Sequence, residues 1–352
     1  MASEAPPITV RPVETRDFDG LRALYARVWD RARDERYDRM RFRDTMDGLP
    51  IAAVAEVEGP DGKPDIAGFF TLWPITLTDG SSIIPGGEAM DVMTDERLRG
   101  RGVFPSLAAA TARFAGERGI QILFGAPNEA IFKGYLKKLS WSSPGFIRSF
   151  VRPLSAKGVA PLGGLGDPVL GIGMKNALAG HTVSHERPSD DALSICLEAS
   201  EGARKNSVGG GVLRVRRTPE WYQFRYQDAG RFDYRWVTLD KGGELVGFAV
   251  WAIEIDQAGR MKRANLNDVI APDDAAERAL IALVANKAKQ AGANFLHAVA
   301  TSPARAPTFR KLGFIPLKKT PLIARTLDAA SHSGNPFLED GWDLIGGDFD
   351  FT

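Results

Sequence analysis

A glycine turn between a short apolar run and a helix-like segment constrains this 352-residue chain more than any other stretch. Residues 89–93 are mainly apolar and predict a buried strand, and apolar residues recur at helical spacing after residue 103. Gly100 and Gly102 let the backbone fold tightly and approach a ligand closely. The helix that begins near Val103 points unpaired N–H groups and its positive dipole end into the turn. With three arginines added, the turn predicts a site for an anion such as a pyrophosphate.

Two common nucleotide-binding motifs do not fit this turn. A P-loop requires Gly-x-x-x-x-Gly-Lys followed by Ser or Thr, and the stretch contains no such run. The dinucleotide fingerprint requires a third glycine at a position where this chain has Pro105. The turn by itself therefore leaves two alternatives, an anion site of another kind or a basic surface turn without a ligand.

Further elements follow the turn in order. The turn has the form Arg-x-x-Gly-x-Gly, Asn128 and Tyr135 come after a second apolar run, and residues 138–141 read Lys-Leu-Ser-Trp. In this order they resemble the GNAT superfamily of acyl-CoA-dependent N-acetyltransferases, whose pattern is Gln/Arg-x-x-Gly-x-Gly/Ala, then Asn, Tyr and Lys-Leu-Gly-Phe. The sequence departs from the pattern twice, because Ser140 replaces the glycine and Tyr135 lies one residue further from Trp141 than in the family.

The resemblance implies a fold class and a co-substrate. GNAT proteins have an α/β fold with a central mixed, mostly antiparallel sheet flanked by helices, and acetyl-CoA is the co-substrate expected here. In the family, the strand before the turn diverges from its neighbour and its backbone pairs with the pantetheine arm, while the turn holds the pyrophosphate. The residues placed at the cofactor by the resemblance are Val92, Met93, Thr94, Arg97, Arg99, Gly100, Arg101, Gly102, Val103, Phe104 and Asn128. For Asn128, capping of the following helix is the alternative.

Transfer of an acyl group to an amine needs a positioned thioester, a base for the amine proton and a donor for the leaving thiolate. The resemblance assigns the donor role to Tyr135, with aromatic packing as the alternative. Glu88 and Asp91 are the candidates for the base, since a carboxylate in an otherwise apolar strand is costly to bury without a function or a partner. A structural hydrogen-bonding role is the alternative for each. No metal is expected, because the four histidines are scattered and there is no Cys/His cluster.

The second half of the chain repeats part of the first. Residues 309–314 read Phe-Arg-Lys-Leu-Gly-Phe and follow a strand and a helix, as residues 136–141 do. The second half therefore resembles another GNAT domain, but it lacks the glycine turn, and Asp273 and Asp274 at its helix start would repel a pyrophosphate. We interpret it as a non-catalytic copy that shapes or covers the acceptor site of the first. The predicted division is a catalytic domain at 1–153, a linker at 154–168, a degenerate GNAT-like domain at 169–328 and an acidic aromatic tail at 329–352.

The tail combines acidic residues with more aromatic and aliphatic residues than a disordered terminus usually has. It resembles the Trp…Gly-Asp-x-Asp endings of some bacterial acyltransferases linked to surface-polysaccharide synthesis. The resemblance implies that the tail docks beside the acceptor site and that Trp342, Asp348 and Asp350 contact the substrate. A frayed terminus is the alternative.

Composition narrows the class of protein. The net charge of +1 creates no global field for nucleic acid, and no apolar run approaches the ~18 residues of a membrane span. The N-terminus lacks the regions of a signal peptide, and Cys196 is the only cysteine, so a cytoplasmic location is expected. The sequence leaves the oligomeric state open, with a homodimer among the expectations.

Three functions remain in competition. The first is an acetyl-CoA-dependent N-acetyltransferase acting on a primary amine of a small acceptor, with an amino sugar as the leading class. The second is an acyltransferase for an amino acid or an aminoglycoside, and the third is a non-catalytic CoA-binding sensor. The charged segment at 31–43 is interpreted as a solvated helix or loop, with a place in the acceptor pocket as the alternative.

Overall fold

The computed structural model describes residues 7–35, 38, 41, 50–59, 61–155, 178, 180–208, 211–228, 232–255, 259, 261–327, 336–337 and 341–349, without the side chains of 203–208. The chain divides into two compact units. Unit 1 consists of Met1–Leu77, Ser82–Pro144 and Pro321–His332, and unit 2 of Thr78–Ser81, Gly145–Thr320 and Ser333–Thr352. The four-part division made from the sequence stays a prediction, and of its linker only residues 154 and 155 are described.

The elements follow one another in a mixed order of strands and helices. The strands are β1 Thr9–Pro12, β2 Ile51–Glu58, β3 Pro64–Thr78, β4 Ile83–Thr94, β5 Ile122–Gly125, β6 Ser142–Pro153, β7 Thr182–Ser184, β8 Arg214–Val215, β9 Tyr234–Lys241, β10 Glu244–Ile255, β11 Lys262–Ile270, β12 Phe295–Ala300 and β13 Ile315–Thr326. The α-helices are α1 Phe18–Trp29, α2 Val103–Glu117, α3 Glu129–Lys138, α4 Asp190–Val208, α5 Pro219–Gln223, α6 Asp274–Gln290 and α7 Arg305–Lys311. A π-helical turn, Phe224–Asp228, continues α5.

Unit 1 contains a mixed sheet whose strand order is β1-β2-β3-β4-β5, followed by the C-terminal residues of β13. The β1–β2, β2–β3 and β5–β13 ladders are antiparallel, whereas β4 and β5 are parallel. Helix α2 connects β4 to β5, as a parallel pair requires a crossover. The neighbour of β5 on this side is therefore a strand that comes from the far end of the sequence.

The core of unit 1 lies between α2 and the sheet. Leu107 and Val103 of α2 are buried in one apolar cluster with Phe70 and Leu123 of the sheet. Gly68 makes the approach possible, because a Cβ there would lie 2.9 Å from the Ala55 Cβ and 3.0 Å from the Leu107 Cδ1. This packing fixes the start of α2 against the strands that precede it.

Unit 2 also contains both parallel and antiparallel strand pairs. Its order is β6-β12-β11-β10-β9-β7, with the N-terminal part of β13 beside β6. The β11–β12 ladder is parallel and joined by α6, and the β6–β12, β10–β11, β9–β10 and β7–β9 ladders are antiparallel. Buried residues of α6, including Leu280 and Val284, pack with Val237, Leu266 and Leu296 of the strands. The predicted α/β class, mixed sheets flanked by helices, is confirmed.

In the part of the chain that the structure describes, no helix has the length and apolar character needed to cross a membrane. The same residues include no group of three or more His, Cys, Asp or Glu side chains placed to hold a metal ion.

Candidate functional site

The strand before the glycine turn extends beyond the end of its parallel neighbour, which stops at Gly125. The β4–β5 ladder runs from Gly86 opposite Ile122 to Ala89 opposite Gly125 and ends there, although β4 continues to Thr94. We call the region beyond Ala89 and Gly125 the β4–β5 fork. Val92, Met93 and Thr94 all lie on the part of β4 beyond the fork. Their backbone groups on the β5 side are thus available to pair with an extended ligand.

Asp91 has an unusual backbone conformation on the part of β4 that extends beyond β5. Its φ is 45°, in the left-handed region that a residue with a side chain rarely adopts. Its carboxylate is held by two arginines, with Arg33 Nη1 at 3.0 Å from Oδ1 and Arg41 Nε at 2.6 Å from Oδ2. Burial by itself would raise the pKa of Asp91, but the charges of Arg41 and Arg33 outweigh burial and lower it. Asp91 therefore stays ionised and ties this part of β4 to the two arginines.

Sequence reasoning missed the partners of Asp91. Arg33, Asp38 and Arg41 lie in the charged segment at 31–43. Asp38 and Arg41 are buried, and the Arg33 side chain is 9 % exposed. Arg33 Nε lies 2.5 Å from Asp38 Oδ1, and burial raises the pKa of that carboxyl despite the arginine. For these residues the prediction of a solvated segment is wrong, since their charges are satisfied inside unit 1. The aromatic residues interleaved with the charges were the available signal.

The glycine turn has the backbone form expected of an anion site. Gly100 and Gly102 have φ of 81° and 76°, and a Cβ added at either would meet no heavy atom within 4 Å. Gly102 is the N-cap of α2, and no side chain caps that helix. Pro105, in the first turn, has no N–H to satisfy. The open space in front of uncapped helical N–H groups fits a phosphate group.

The arginines of the turn have different partners. Arg97 binds two carboxylates, with Nη2 at 2.6 Å from Asp65 Oδ2 and 2.8 Å from Asp95 Oδ2. Hydrogen bonding from Arg97 lowers the pKa of Asp95 from 3.8 to about 2. Arg99 is exposed, and its Nη1 lies 3.4 Å from Glu96. Arg97 thus braces the turn. The backbone of the turn and the side chains of Arg99 and Arg101 face solvent, and they are the groups that could meet an anion.

Tyr135 is buried on α3 in a group of aromatic rings. Its ring centroid lies 5.0 Å from Trp141, 5.4 Å from Phe104 and 6.1 Å from Phe70. Burial raises the pKa of the phenol well above its ordinary value, so the group stays protonated at neutral pH. Phe104, from the turn itself, contacts this cluster, which couples the start of α2 to α3.

The ending of α3 explains one departure from the family pattern. Ser140 stands where the pattern has glycine and adopts a φ of 56°. Gly313, at the matching place after α7, has a φ of 78°. The left-handed conformation is therefore kept, although the residue that adopts it most easily is absent.

Asn128 has the capping role that the sequence analysis held as an alternative. It is the N-cap of α3, and its side chain accepts a hydrogen bond from the Ile131 N–H at 3.2 Å. Glu88, the other candidate base, lies on β4 opposite Phe124 and is 2 % exposed. The structure thus brings β4, the glycine turn and Tyr135 together in unit 1.

The tail residues predicted to contact substrate lie in unit 2. Trp342 is buried, and its Nε1 donates a hydrogen bond to the Pro336 carbonyl at 2.9 Å. Asp348 is buried, and its Oδ1 lies 2.5 Å from Arg217 Nη1. Asp350 lies outside the described residues. The structure gives Trp342 and Asp348 partners within unit 2, and their role with substrate stays a prediction.

The corresponding helix of unit 2 begins differently. Asp273 is the N-cap of α6 and accepts hydrogen bonds from the Ala275 and Ala276 N–H groups, both at 2.8 Å. A side chain thus fills the position that Gly102 leaves open in unit 1. Unit 2 offers no helix start for a phosphate at this place.

Three solved structures that resemble this chain are acyltransferases by name. A GCN5-related N-acetyltransferase from Anabaena variabilis ATCC 29413 has 12% identity and a TM-score of 0.64, covering 92% of this chain and 73% of its own. One from Kribbella flavida has 17% identity and a TM-score of 0.61, covering 92% and 72%. A Saccharomyces cerevisiae N-myristoyltransferase with bound myristoyl-CoA and inhibitors has 15% identity and a TM-score of 0.62, covering 96% and 86%. No protein-family model and no curated protein sequence matches the chain. The chain therefore has the fold of the GCN5-related N-acetyltransferases.

Proposed function

We propose that the chain is an acyl-CoA-dependent N-acyltransferase whose first unit binds acetyl-CoA and transfers its acetyl group to a primary amine. The observation that carries the proposal is the β4–β5 fork followed directly by the open glycine turn. The fork offers the backbone of β4 to an extended pantetheine arm, and the turn offers uncapped N–H groups to a pyrophosphate. The similar solved structures support the same chemistry by their names.

The proposed reaction forms one C–N bond and breaks one C–S bond. The neutral amine attacks the thioester carbonyl, the amine gives up a proton to a base, and the leaving thiolate receives a proton. The products are an amide and CoA. Backbone groups of residues 92–94 would hold the arm, and those of residues 100–103 would hold the pyrophosphate, so that the thioester meets the amine in one orientation.

Two carboxylates compete for the role of base, and their surroundings separate them. Asp91 is bound by Arg33 and Arg41, which lower its pKa and make it a poor proton acceptor. We assign Asp91 to positioning of the strand. Glu88, buried on the same strand, remains the candidate for the base, acting directly or through water.

Tyr135 is the proposed donor to the thiolate. The three rings around it fix its position, and burial keeps its phenol protonated. A donor that is held in place before the reaction stabilises the developing charge on sulfur without reorganisation. A purely structural role in the aromatic cluster is the competing account, and the turnover of a Tyr135→Phe variant separates the two.

The acceptor is proposed only as a primary amine on a small molecule. An amino sugar was the leading class because the tail resembles the endings of acyltransferases linked to surface-polysaccharide synthesis. Two residues of that tail, Trp342 and Asp348, have partners inside unit 2. An amino acid or an aminoglycoside is therefore an equal candidate. Acyl groups longer than acetyl stay in the test, since the fold is shared with an enzyme that binds myristoyl-CoA.

We also propose that the second unit is a degenerate GNAT-like copy. Its parallel β11–β12 pair, joined by α6, repeats β4–β5 joined by α2. The left-handed Gly313 repeats the position of Ser140. The cap formed by Asp273 removes the anion site, which accounts for a copy that does not bind CoA.

The direct test is release of free thiol from acetyl-CoA and from longer acyl-CoA substrates, each with a panel of amines, amino sugars, amino acids and aminoglycosides. The proposal predicts release that requires both an acyl-CoA and an amine. Gly102→Asp should abolish it, whereas the neutral Gly102→Asn, which tolerates the left-handed backbone, should retain most of it. Binding of acyl-CoA without thiol release on any acceptor would favour the sensor, and absence of binding would refute the proposal.

A further inference from the structure

The parallel pair of unit 2 separates before its strands end. The β11–β12 ladder runs from Arg263 opposite Phe295 to Leu266 opposite Ala298, although β11 continues to Ile270 and β12 to Ala300. We call the region beyond Leu266 and Ala298 the β11–β12 fork. It holds the same place in its unit as the β4–β5 fork holds in unit 1.

The C-terminal segment at 342–349 attaches to the β12 side of this fork. Ile345 forms an antiparallel bridge with Ala300. The Thr301 N–H donates to the Leu344 carbonyl at 3.0 Å, and the Leu344 N–H donates to Thr301 Oγ1 at 2.8 Å. Thr301 Oγ1 in turn donates to the Trp342 carbonyl at 2.9 Å. The segment therefore forms hydrogen bonds at the end of β12, where β11 is no longer paired with that strand.

Two glycines bring the same segment against β11. A Cβ on Gly346 would lie 2.7 Å from the Leu266 carbonyl oxygen. A Cβ on Gly347 would lie 3.0 Å from the Asn267 carbonyl oxygen and would collide with the hydroxyl of Tyr226. Only glycine fits at these positions without movement of the neighbours, so the segment spans the β11–β12 fork from one strand to the other.

Arginines of unit 2 bind the segment through its charges and carbonyl groups. Arg217 links Asp348, at 2.5 Å, to Asp268 of β11, at 2.8 Å. Arg225 donates from Nε to the Gly347 carbonyl at 2.9 Å and from Nη2 to the Phe349 carbonyl at 2.7 Å. Such contacts are specific both for an acidic side chain and for the direction of a peptide backbone.

A third arginine acts at the start of the segment. Arg305 Nε lies 2.9 Å from Asp343 Oδ1, and Arg305 Nη1 lies 2.7 Å from Glu277 Oε1. The apolar side chains between the two aspartates, Leu344 and Ile345, are buried, as is Phe349 after them. Recognition thus combines buried apolar anchors with paired carboxylates, the pattern of a peptide-binding site.

We infer that the second unit is a peptide-binding module whose ligand is the chain's own C-terminal segment, seated in the β11–β12 fork. The contacts that carry this inference are independent of acyl transfer, whereas the equivalence of the two forks rests on the proposed function. The ligand class is an acidic peptide with two adjacent glycines, recognised by Arg217, Arg225 and Arg305. While it holds this segment, the fork has no room for an acyl-CoA.

The test uses the full-length chain and a synthetic peptide of residues 335–352. Gly347→Ala should release the segment, which hydrogen exchange would register as protection of the Leu344 and Ile345 amides reduced by at least about tenfold. The wild-type peptide should then bind to the Gly347→Ala protein, with its glycine meeting Tyr226. The wild-type protein, whose fork is filled, should bind the peptide at least about tenfold more weakly.

Two further variants keep the test decisive. Gly347→Ala combined with Tyr226→Phe removes the hydroxyl that the new methyl group meets, so this double variant should regain protection and lose peptide binding. Gly202→Ala, at a site with no heavy atom within 4 Å of the added methyl, should behave as wild type. Failure of the released Gly347→Ala protein to bind the peptide, or full protection in that variant, would overturn the inference. Neither readout involves acyl-CoA, so failure of the proposed function would be seen separately.

Discussion

Arg41 Nε lies 2.6 Å from the Oδ2 atom of Asp91, on the part of β4 that extends beyond the end of β5. The left-handed backbone of Asp91 is held by an ion pair with a buried arginine from a distant part of unit 1. A strained conformation of this kind persists only where its surroundings fix it. The pair therefore connects a segment rich in charge to the shape of the strand proposed to receive acyl-CoA.

Asp91→Asn should destabilise the protein by about 3 kcal/mol, because it leaves two largely buried arginines without one of their counter-charges. Urea unfolding measures the change. Asp61→Asn is the control, since Asp61 forms an exposed ion pair with Lys63 and an asparagine can still accept the hydrogen bond from the Lys63 N–H. The same measurement should change by less than about 0.5 kcal/mol. Equal effects of the two substitutions would show that the buried pair does not hold the fork.

Acid should weaken the bracing of the glycine turn through Asp95. Its pKa falls from 3.8 to about 2 in the folded protein. As the pH drops, the Asp95 carboxylate is therefore protonated at a higher pH in the unfolded chain than in the folded protein. The stability that Asp95 contributes is therefore complete above pH ~4 and lost as the pH falls towards ~2. In unfolding measurements from pH 6 to pH 2, wild type and Asp95→Asn should converge at low pH. A difference in unfolding free energy that stays constant over that range would contradict this account.

Ser140→Gly should stabilise the protein by about 1 kcal/mol, because a left-handed backbone strains a residue that carries a Cβ. Ser140→Ala is the matched control, and it should bring no gain since alanine meets the same strain. Thermal or urea unfolding of the three proteins measures the difference. A loss of stability in the glycine variant would mean that the Ser140 side chain contributes more than its backbone conformation costs.

Tyr135→Phe should slow turnover about tenfold to a thousandfold while affinity for acetyl-CoA is kept, because a proton donor to the thiolate acts chiefly in the transition state. The ring contacts with Trp141, Phe104 and Phe70 survive this substitution, so folding should not change. Thiol-release kinetics and calorimetry together separate the two effects. Nearly full turnover in the variant would make Tyr135 a structural residue.

The sequence was most informative where local conformation decides the structure. Gly100 and Gly102 predicted a tight turn, and both residues have a positive φ. The order of strand, turn, helix and strand over β4, α2 and β5 was also predicted from the apolar runs. Each of these features depends on neighbours within a few tens of residues, which periodicity and turn chemistry can detect.

Features that depend on distant partners were not predictable. Arg33 meets Asp91 across 58 positions, and no spacing rule links them. The positive φ of Asp91 carried no signal, because aspartate replaces the glycine that usually marks such a position. For the tail, composition indicated that it docks onto a domain. The contacts of Arg217 and Arg225 show that it packs against other residues of unit 2.

The open glycine turn of unit 1 is the proposed acyl-CoA site. Calorimetry of acetyl-CoA binding tests this assignment most directly. Wild type should bind one acetyl-CoA per chain, because the start of α6 is capped by Asp273 and the β11–β12 fork is filled. Gly102→Asp should weaken binding by at least about a hundredfold, since a carboxylate would face the pyrophosphate, and Gly102→Asn should weaken it by less than about tenfold. Unchanged affinity in the aspartate variant, or two acetyl-CoA molecules bound per chain, would contradict the account.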